Sequence, residues 1–83
     1  MRINCEVLDL NAFLTILDMG SFSRAAKALN MSQPAPSRHL RSLEITLRTV
    51  LLERSTRPLQ ISSAGLTLEP FVRRMVDELE TTL

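Results

Sequence analysis

Apolar residues recur along this 83-residue chain in helix-like blocks separated by short polar breaks. Leu10, Phe13, Leu14 and Leu17 fall at helical spacing, and the pattern puts Asp9, Asn11, Thr15 and Asp18 on the opposite, polar side. This predicts a first helix from about Glu6 to Met19, stopped by Gly20. Ser21 is the next N-cap candidate, since its hydroxyl can accept from an otherwise unpaired backbone N–H of the following turn. Phe22, Ala25, Ala26 and Leu29 give the stripe of a short second helix, and the paired alanines leave room for another helix to cross closely. Asn30 suits a left-handed helix end, with Met31 as the apolar residue of the turn.

Ser32 is expected to cap a third helix, with Gln33 at its first position and Pro34 in its first turn, running to about Leu47. Pro36, Leu40, Leu43 and Leu47 lie within roughly 60° of one another on a helical wheel. The other side carries Pro34, Arg38 and Arg41, flanked by Gln33 and Ser37. Residues Thr49 to Glu53 and Leu59 to Ser62 read as two short strands around the polar loop Arg54-Ser55-Thr56-Arg57-Pro58. Ser62 or Ser63 then caps a last helix, in which Leu68, Val72, Met75 and Leu79 step by four, three and four, the spacing of a helix-pairing seam. Pro70 near its start removes one backbone donor and is a candidate bend. No C-capping signal precedes Leu83, so continuation into a longer chain is expected.

Composition narrows the classes. The length suits one small domain with an economical core. The N-terminus shows no signal-peptide pattern, and no apolar run approaches a membrane span. A lone Cys5 forms no internal disulfide and implies a reducing compartment, here the cytoplasm. One cysteine and one histidine, His39, do not make the usual zinc ligand sets, and no metal or cofactor is expected. The net charge of +1 conceals an asymmetry. Between Gly20 and Gln60, seven cations (Arg24, Lys27, Arg38, Arg41, Arg48, Arg54 and Arg57) face two anions, Glu44 and Glu53, for a net +5. Outside that stretch three cations face seven anions, for a net −4. A polyanion is drawn to the middle of such a chain.

Two helices joined by a brief turn, the second with a polar N-terminal half, have a helix-turn-helix layout, and the B-DNA major groove admits such a helix. Gln33 matches adenine N6/N7 and Arg38 matches guanine O6/N7, while Pro34 and Ala35 suit a thymine methyl. Ser21, Ser23, Ser32 and Ser37 are short hydroxyls near helix N-termini, where phosphate is favoured. Arg24, Arg41 and Arg54 complete the expected phosphate set. The hairpin is a wing whose Arg57 or Arg54 suits the minor groove. His39 sits beside the core stripe as a packing or surface residue, with no orienting partner in its own helix. An enzyme is disfavoured, because the chain has no paired acids, Cys–His arrangement or phosphate-cradling glycine loop. The rival from another class is a protein-interaction module with a coiled-coil adaptor helix, which salt dependence separates from phosphate-driven binding.

The motifs also resemble the LysR-type transcriptional regulators over about Leu8 to Leu79. They begin with Leu10-x-x-Phe13 and Gly20-Ser21-Phe22-Ser23-Arg24-Ala25-Ala26-x-x-Leu29. Met31-Ser32-Gln33-Pro34-Ala35-x-Ser37-Arg38 and Leu43-Glu44-x-x-Leu47 follow. Leu51-Leu52-Glu53-Arg54-x-x-Arg57 and Ile61-Ser62-x-Ala64-Gly65 complete the set. The resemblance implies that Gln33, Pro34, Ala35, Ser37 and Arg38 meet double-stranded DNA together with the wing residue Arg57. It further implies that the last helix pairs two such domains, that full-length members assemble further into tetramers, and that a separate C-terminal domain binds the small-molecule effector. Three positions depart from the family pattern: Pro36 replaces an aliphatic residue, Arg48 a glycine and Leu52 a phenylalanine.

The expected fold is therefore mainly α: a winged helix-turn-helix of three helices plus a two-stranded wing, followed by a long dimerisation helix. Residues of about 6–63 form the DNA-binding domain, with the helix-turn-helix at about 22–41 and the wing at about 49–62. Residues 64–83 form the linker helix, with Leu68, Val72, Met75 and Leu79 at the dimer interface.

Overall fold

A computed structural model describes residues 5–55 and 58–82. Among them the order is α1 (Val7–Met19), α2 (Phe22–Ala28), α3 (Ala35–Leu47), β1 (Leu52–Glu53), β2 (Gln60–Ile61) and α4 (Ser63–Thr82). Helix α1 is the hub: it packs most extensively on α3 and also on α2 and α4. Phe13, Ile16, Leu40, Leu43, Leu51, Leu52 and Val72 form the fully buried centre.

Local hydrogen bonding sets most helix ends. Gly20 closes α1 in the left-handed conformation, φ 67°, and its N–H donates to Ile16 O at 2.8 Å. The Ser21 hydroxyl accepts from Arg24 N at 3.2 Å, as expected of an N-cap. Asn30, at φ 56°, ends α2 in a Schellman arrangement: Met31 N donates to Ala26 O and Asn30 N to Lys27 O. Arg48, at φ 55°, repeats that arrangement after α3, with Thr49 N donating to Glu44 O. The alanine pair, Ala25 and Ala26, is fully buried where the helices cross.

Three expectations need correction. Helix α3 begins at Ala35 rather than directly after a Ser32 cap. Pro36 has no N–H to bond Ser32 O, so that carbonyl accepts from Ala35 N in a tight turn and the helical ladder opens with Arg38 N on Pro34 O. The strands are two residues each, with Leu52 opposite Ile61 and Glu53 opposite Gln60. The ladder goes no further than Leu52 because the Leu51 N–H turns to the Glu44 carboxylate at 2.7 Å, although the Leu51 carbonyl still accepts from Ser62 N at 2.9 Å. The Leu52 N–H reaches the same Glu44 oxygen at 3.3 Å. Asp9, assigned to the polar side, is buried with 3% exposure. It is satisfied there by the His39 Nδ1–H at 2.8 Å and the Glu6 N–H at 3.1 Å.

Ser62 is the cap of α4: its oxygen accepts from Gly65 N at 3.0 Å and its hydroxyl donates to Val50 O at 2.6 Å. Gly65 is buried against the wing base, where a Cβ would stand 2.5 Å from Leu51 O and 2.6 Å from Ile61 Cγ1. Only glycine fits this approach of α4 to β1 and β2. Farther along, Arg73 reaches Asp18 of α1 with a two-pronged bond, 2.6 and 3.3 Å, and also donates to Glu69 at 2.8 Å. The paired carboxylates hold the Arg73 guanidinium well above the usual arginine range.

Candidate nucleic-acid interface

Helix α3 buries Pro36, Leu40 and Leu43 and exposes the opposite ridge, Arg38, Arg41, Ser42 and Ile45, which line a shallow groove. Gln33 and Pro34 are exposed in the turn leading into the helix, beside the half-buried Ala35. The expected base-contact residues Gln33, Pro34, Ala35 and Arg38 therefore occupy consecutive turns at one end of α3. Arg57 lies outside the described residues.

The expected phosphate residues fall into two groups. Ser21, Ser23 and Arg54 share a cleft of about 300 Å³ with Gly20, Phe22, Pro58 and Leu59, between the start of α2 and the wing. Arg24, Ser32 and Arg41 are exposed outside that cleft. Ser37 is half-buried, and its oxygen accepts from Arg54 Nη1 at 3.2 Å, which joins the wing to α3.

Glu44 is the residue that pattern reading passed over. One of its oxygens receives the Leu51 and Leu52 N–H groups, and the other pairs with Arg54 Nη2 at 3.1 Å. The guanidinium carbon of Arg54 also lies 5.7 Å from the centroid of the Phe22 ring. Arg54 is thus held by α2 and α3 at once, not loose at a loop tip. Sequence spacing carries no sign of this, because Glu44 and Ser37 lie 10 and 17 positions from Arg54, and Phe22 lies farther still.

The residues expected to form a pairing seam on α4 do not share one exposed face. Val72 is fully buried in the chain's own core with Val76, and Leu68 packs half-buried against that core. Val72 is therefore unavailable to a partner. The exposed row is Phe71, Met75 and Leu79, at 55%, 46% and 41% exposure. Phe71 also joins Leu47, Leu51, Ala64, Thr67 and Leu68 in lining a mostly apolar groove. A count of three from Leu68 and four to Met75 would have found Phe71 in the sequence.

No helix among the described residues is long and apolar enough to cross a membrane, and none of their acidic, histidine or cysteine side chains group as a metal site.

A three-helix core carrying a two-stranded antiparallel hairpin defines a winged helix-turn-helix domain. The family model described as "Bacterial regulatory helix-turn-helix protein, lysR family" matches residues 7–66, and the chain belongs to that family. Its relatives include the HTH-type transcriptional regulator YjiE of Escherichia coli, 39% identical over 80 residues, covering 96% of this chain and 26% of that protein. Another is the HTH-type transcriptional regulator CrgA of Neisseria meningitidis, 37% identical over 79 residues, covering 95% of this chain and 26% of that protein. The chain spans about a quarter of the length of these two relatives.

Solved structures agree in fold. DarR of Vibrio fischeri in complex with DNA aligns with a TM-score of 0.89 at 33% identity, over 95% of this chain and 27% of that one. The BenM_DBD/catB site 1 DNA complex aligns at 0.87 and 28% identity, over 93% of this chain and 86% of that one.

Proposed function

We propose that this chain is the DNA-binding module of a bacterial LysR-type transcription regulator and reads double-stranded DNA by sequence. Helix α3 enters the major groove, where Gln33 and Arg38 meet base edges and Pro34 and Ala35 offer apolar contact. Ser21, Arg24, Ser32, Ser37 and Arg41 face phosphates, Arg54 holds the wing beside them, and Arg57 serves the minor groove. The observation that carries this reading is the Arg54–Ser37 bond of 3.2 Å, which puts the base of the wing against the same helix that exposes Arg38 and Arg41. Such a role places the protein in the bacterial cytoplasm, with the chromosome.

Two copies pair through α4 along Phe71, Met75 and Leu79 with Leu68 at the margin, and so address a dyad-symmetric operator. A small-molecule effector and tetramer formation belong to a further domain, as in full-length family members. Met75→Glu is expected to shift sedimentation at tens of micromolar toward monomer, and unchanged sedimentation would remove this surface from the pairing.

The test is selection of bound duplexes from a randomised DNA pool near physiological salt, read by sequencing. An inverted repeat supports both base readout and pairing. Weak, salt-labile recovery with no motif leaves only charge-driven binding. Absence of binding overturns the reading in favour of a protein-interaction module.

A further inference from the structure

Ser23, at the second position of α2, donates its hydroxyl hydrogen to Gln33 Oε1 at 3.1 Å. The bond spans 10 positions and crosses the turn between the two helices. Gln33 stands outside α3, in a turn where neither Pro34 nor Pro36 supplies a backbone donor. Its side chain has three rotatable bonds and is exposed, with no helix of its own to orient it.

We infer that Ser23 is a positioning residue for base readout: it holds the Gln33 carboxamide beside α2 before DNA arrives. This rests on the reading that Gln33 reaches a base edge. A carboxamide presents an acceptor and a donor side by side, and turning it over exchanges them. The Ser23 hydroxyl holds Oε1 toward α2. The second lone pair of Oε1 and the Nε2 hydrogens are then left for a ligand.

That is the complement of adenine, whose N6 donates and whose N7 accepts. The hydroxyl can also accept from Nε2, so what it fixes is the place of the carboxamide. Held there, the carboxamide makes two bonds to adenine but only one to guanine, and its positioning favours adenine. Ser23 is thereby removed from the phosphate-binding set and given a part in specificity.

The two roles predict different behaviour. If Ser23 bound a phosphate, Ser23→Ala would weaken all sequences evenly and lower the slope of binding against salt. If Ser23 positions Gln33, the same substitution leaves non-specific binding within about twofold and relaxes one base position. Adenine-over-guanine preference there should fall by about three- to tenfold, the range of one ordinary hydrogen bond.

The experiment compares wild type, Ser23→Ala, Ser23→Thr, Gln33→Ala and the Ser23→Ala/Gln33→Ala pair by selection from a randomised duplex pool and competition binding. Ser23→Thr should restore most of the preference, and Ser23→Ala should have no further effect once Gln33 is alanine. The Gln33 side-chain amide signals in NMR, recorded without DNA, give an independent reading: their order should fall in Ser23→Ala. The inference is overturned if Ser23→Ala recovers the wild-type preference at every position, weakens all sequences evenly, or leaves the Gln33 amide order unchanged. If wild type itself recovers no base preference, the DNA-reading proposal fails first and this inference falls with it. An altered Gln33 amide with an unaltered motif overturns the inference alone.

Discussion

The His39 Nδ1–H donates to Asp9 Oδ1 at 2.8 Å, a bond that spans 30 positions and pins the inner flank of α3 to the first turn of α1. Arg38, one residue earlier, is exposed on the outer ridge. The pair therefore fixes the rotation of α3 about its axis and so sets where the ridge points. Asp9 has no further role in the interface. Its carboxylate is buried, and what it contributes is orientation.

Replacing Asp9 with alanine leaves the His39 Nδ1 and the Glu6 N–H without their acceptor. The expected loss of stability is about 1–3 kcal/mol, for two part-buried hydrogen bonds to a carboxylate. Urea denaturation followed by circular dichroism measures it, and an unchanged midpoint would show that the pair adds nothing.

Glu44 is expected to govern the wing. Glu44→Ala frees the Leu51 and Leu52 N–H groups and unpairs Arg54, so exchange of those two amides with solvent should speed markedly. The stability cost is about 1.5–3 kcal/mol, as for hydrogen bonds to a charged acceptor. Glu44→Gln keeps an acceptor for the backbone and should lose less. Equal exchange in all three proteins would dissociate the wing from α3.

Gly65→Ala forces a methyl group against Leu51 O and Ile61 Cγ1. The backbone carbonyl cannot swing aside as a side-chain tip would, so about 1–3 kcal/mol of stability should be lost. Thermal unfolding reads this directly.

Arg48→Gly should do the opposite. Arg48 holds φ 55°, where a Cβ crowds the backbone, and the strain relieved exceeds the entropy that glycine gains in the unfolded chain. A net gain of about 0.5–1 kcal/mol is expected. A loss would mean that the arginine side chain stabilises the end of α3 by more than its backbone costs.

The Cys5 thiol is pushed up, first by burial and then by the negative charge of Asp9. A raised value favours the neutral thiol, so alkylation by iodoacetamide at pH 8 should run slower in the folded protein than in urea. Asp9→Asn removes the charge but not the burial, and should recover part of the rate. Because the folded value exceeds the unfolded one, this contribution to stability holds in the neutral range and fades as pH rises through the folded value.

Short-range chemistry was legible residue by residue. Gly20, Ser21 and Asn30 act where the chain order puts them, because a cap or a left-handed turn involves atoms only a few positions apart. The spacing of α2 and α3, and hence the family fold, follows from those ends. The exposed ridge of Arg38 and Arg41 follows from helical period alone.

What chain order left undecided depends on atoms brought together from far apart. Along α4, the stripes Leu68-Val72-Met75-Leu79 and Leu68-Phe71-Met75-Leu79 differ by one position, about 100° of rotation. The periodicity admits either, and the packing of Val72 and Val76 into the common core turns Phe71 outward. Asp9 had no reason to be buried until His39 came within reach of it across α1 and α3. The wing shortened because Glu44 competes for its backbone donors, and Gln33 gained a direction only when Ser23 stood opposite. In each case a hydrogen-bond partner or a packing surface chose among options that local periodicity leaves equal in energy.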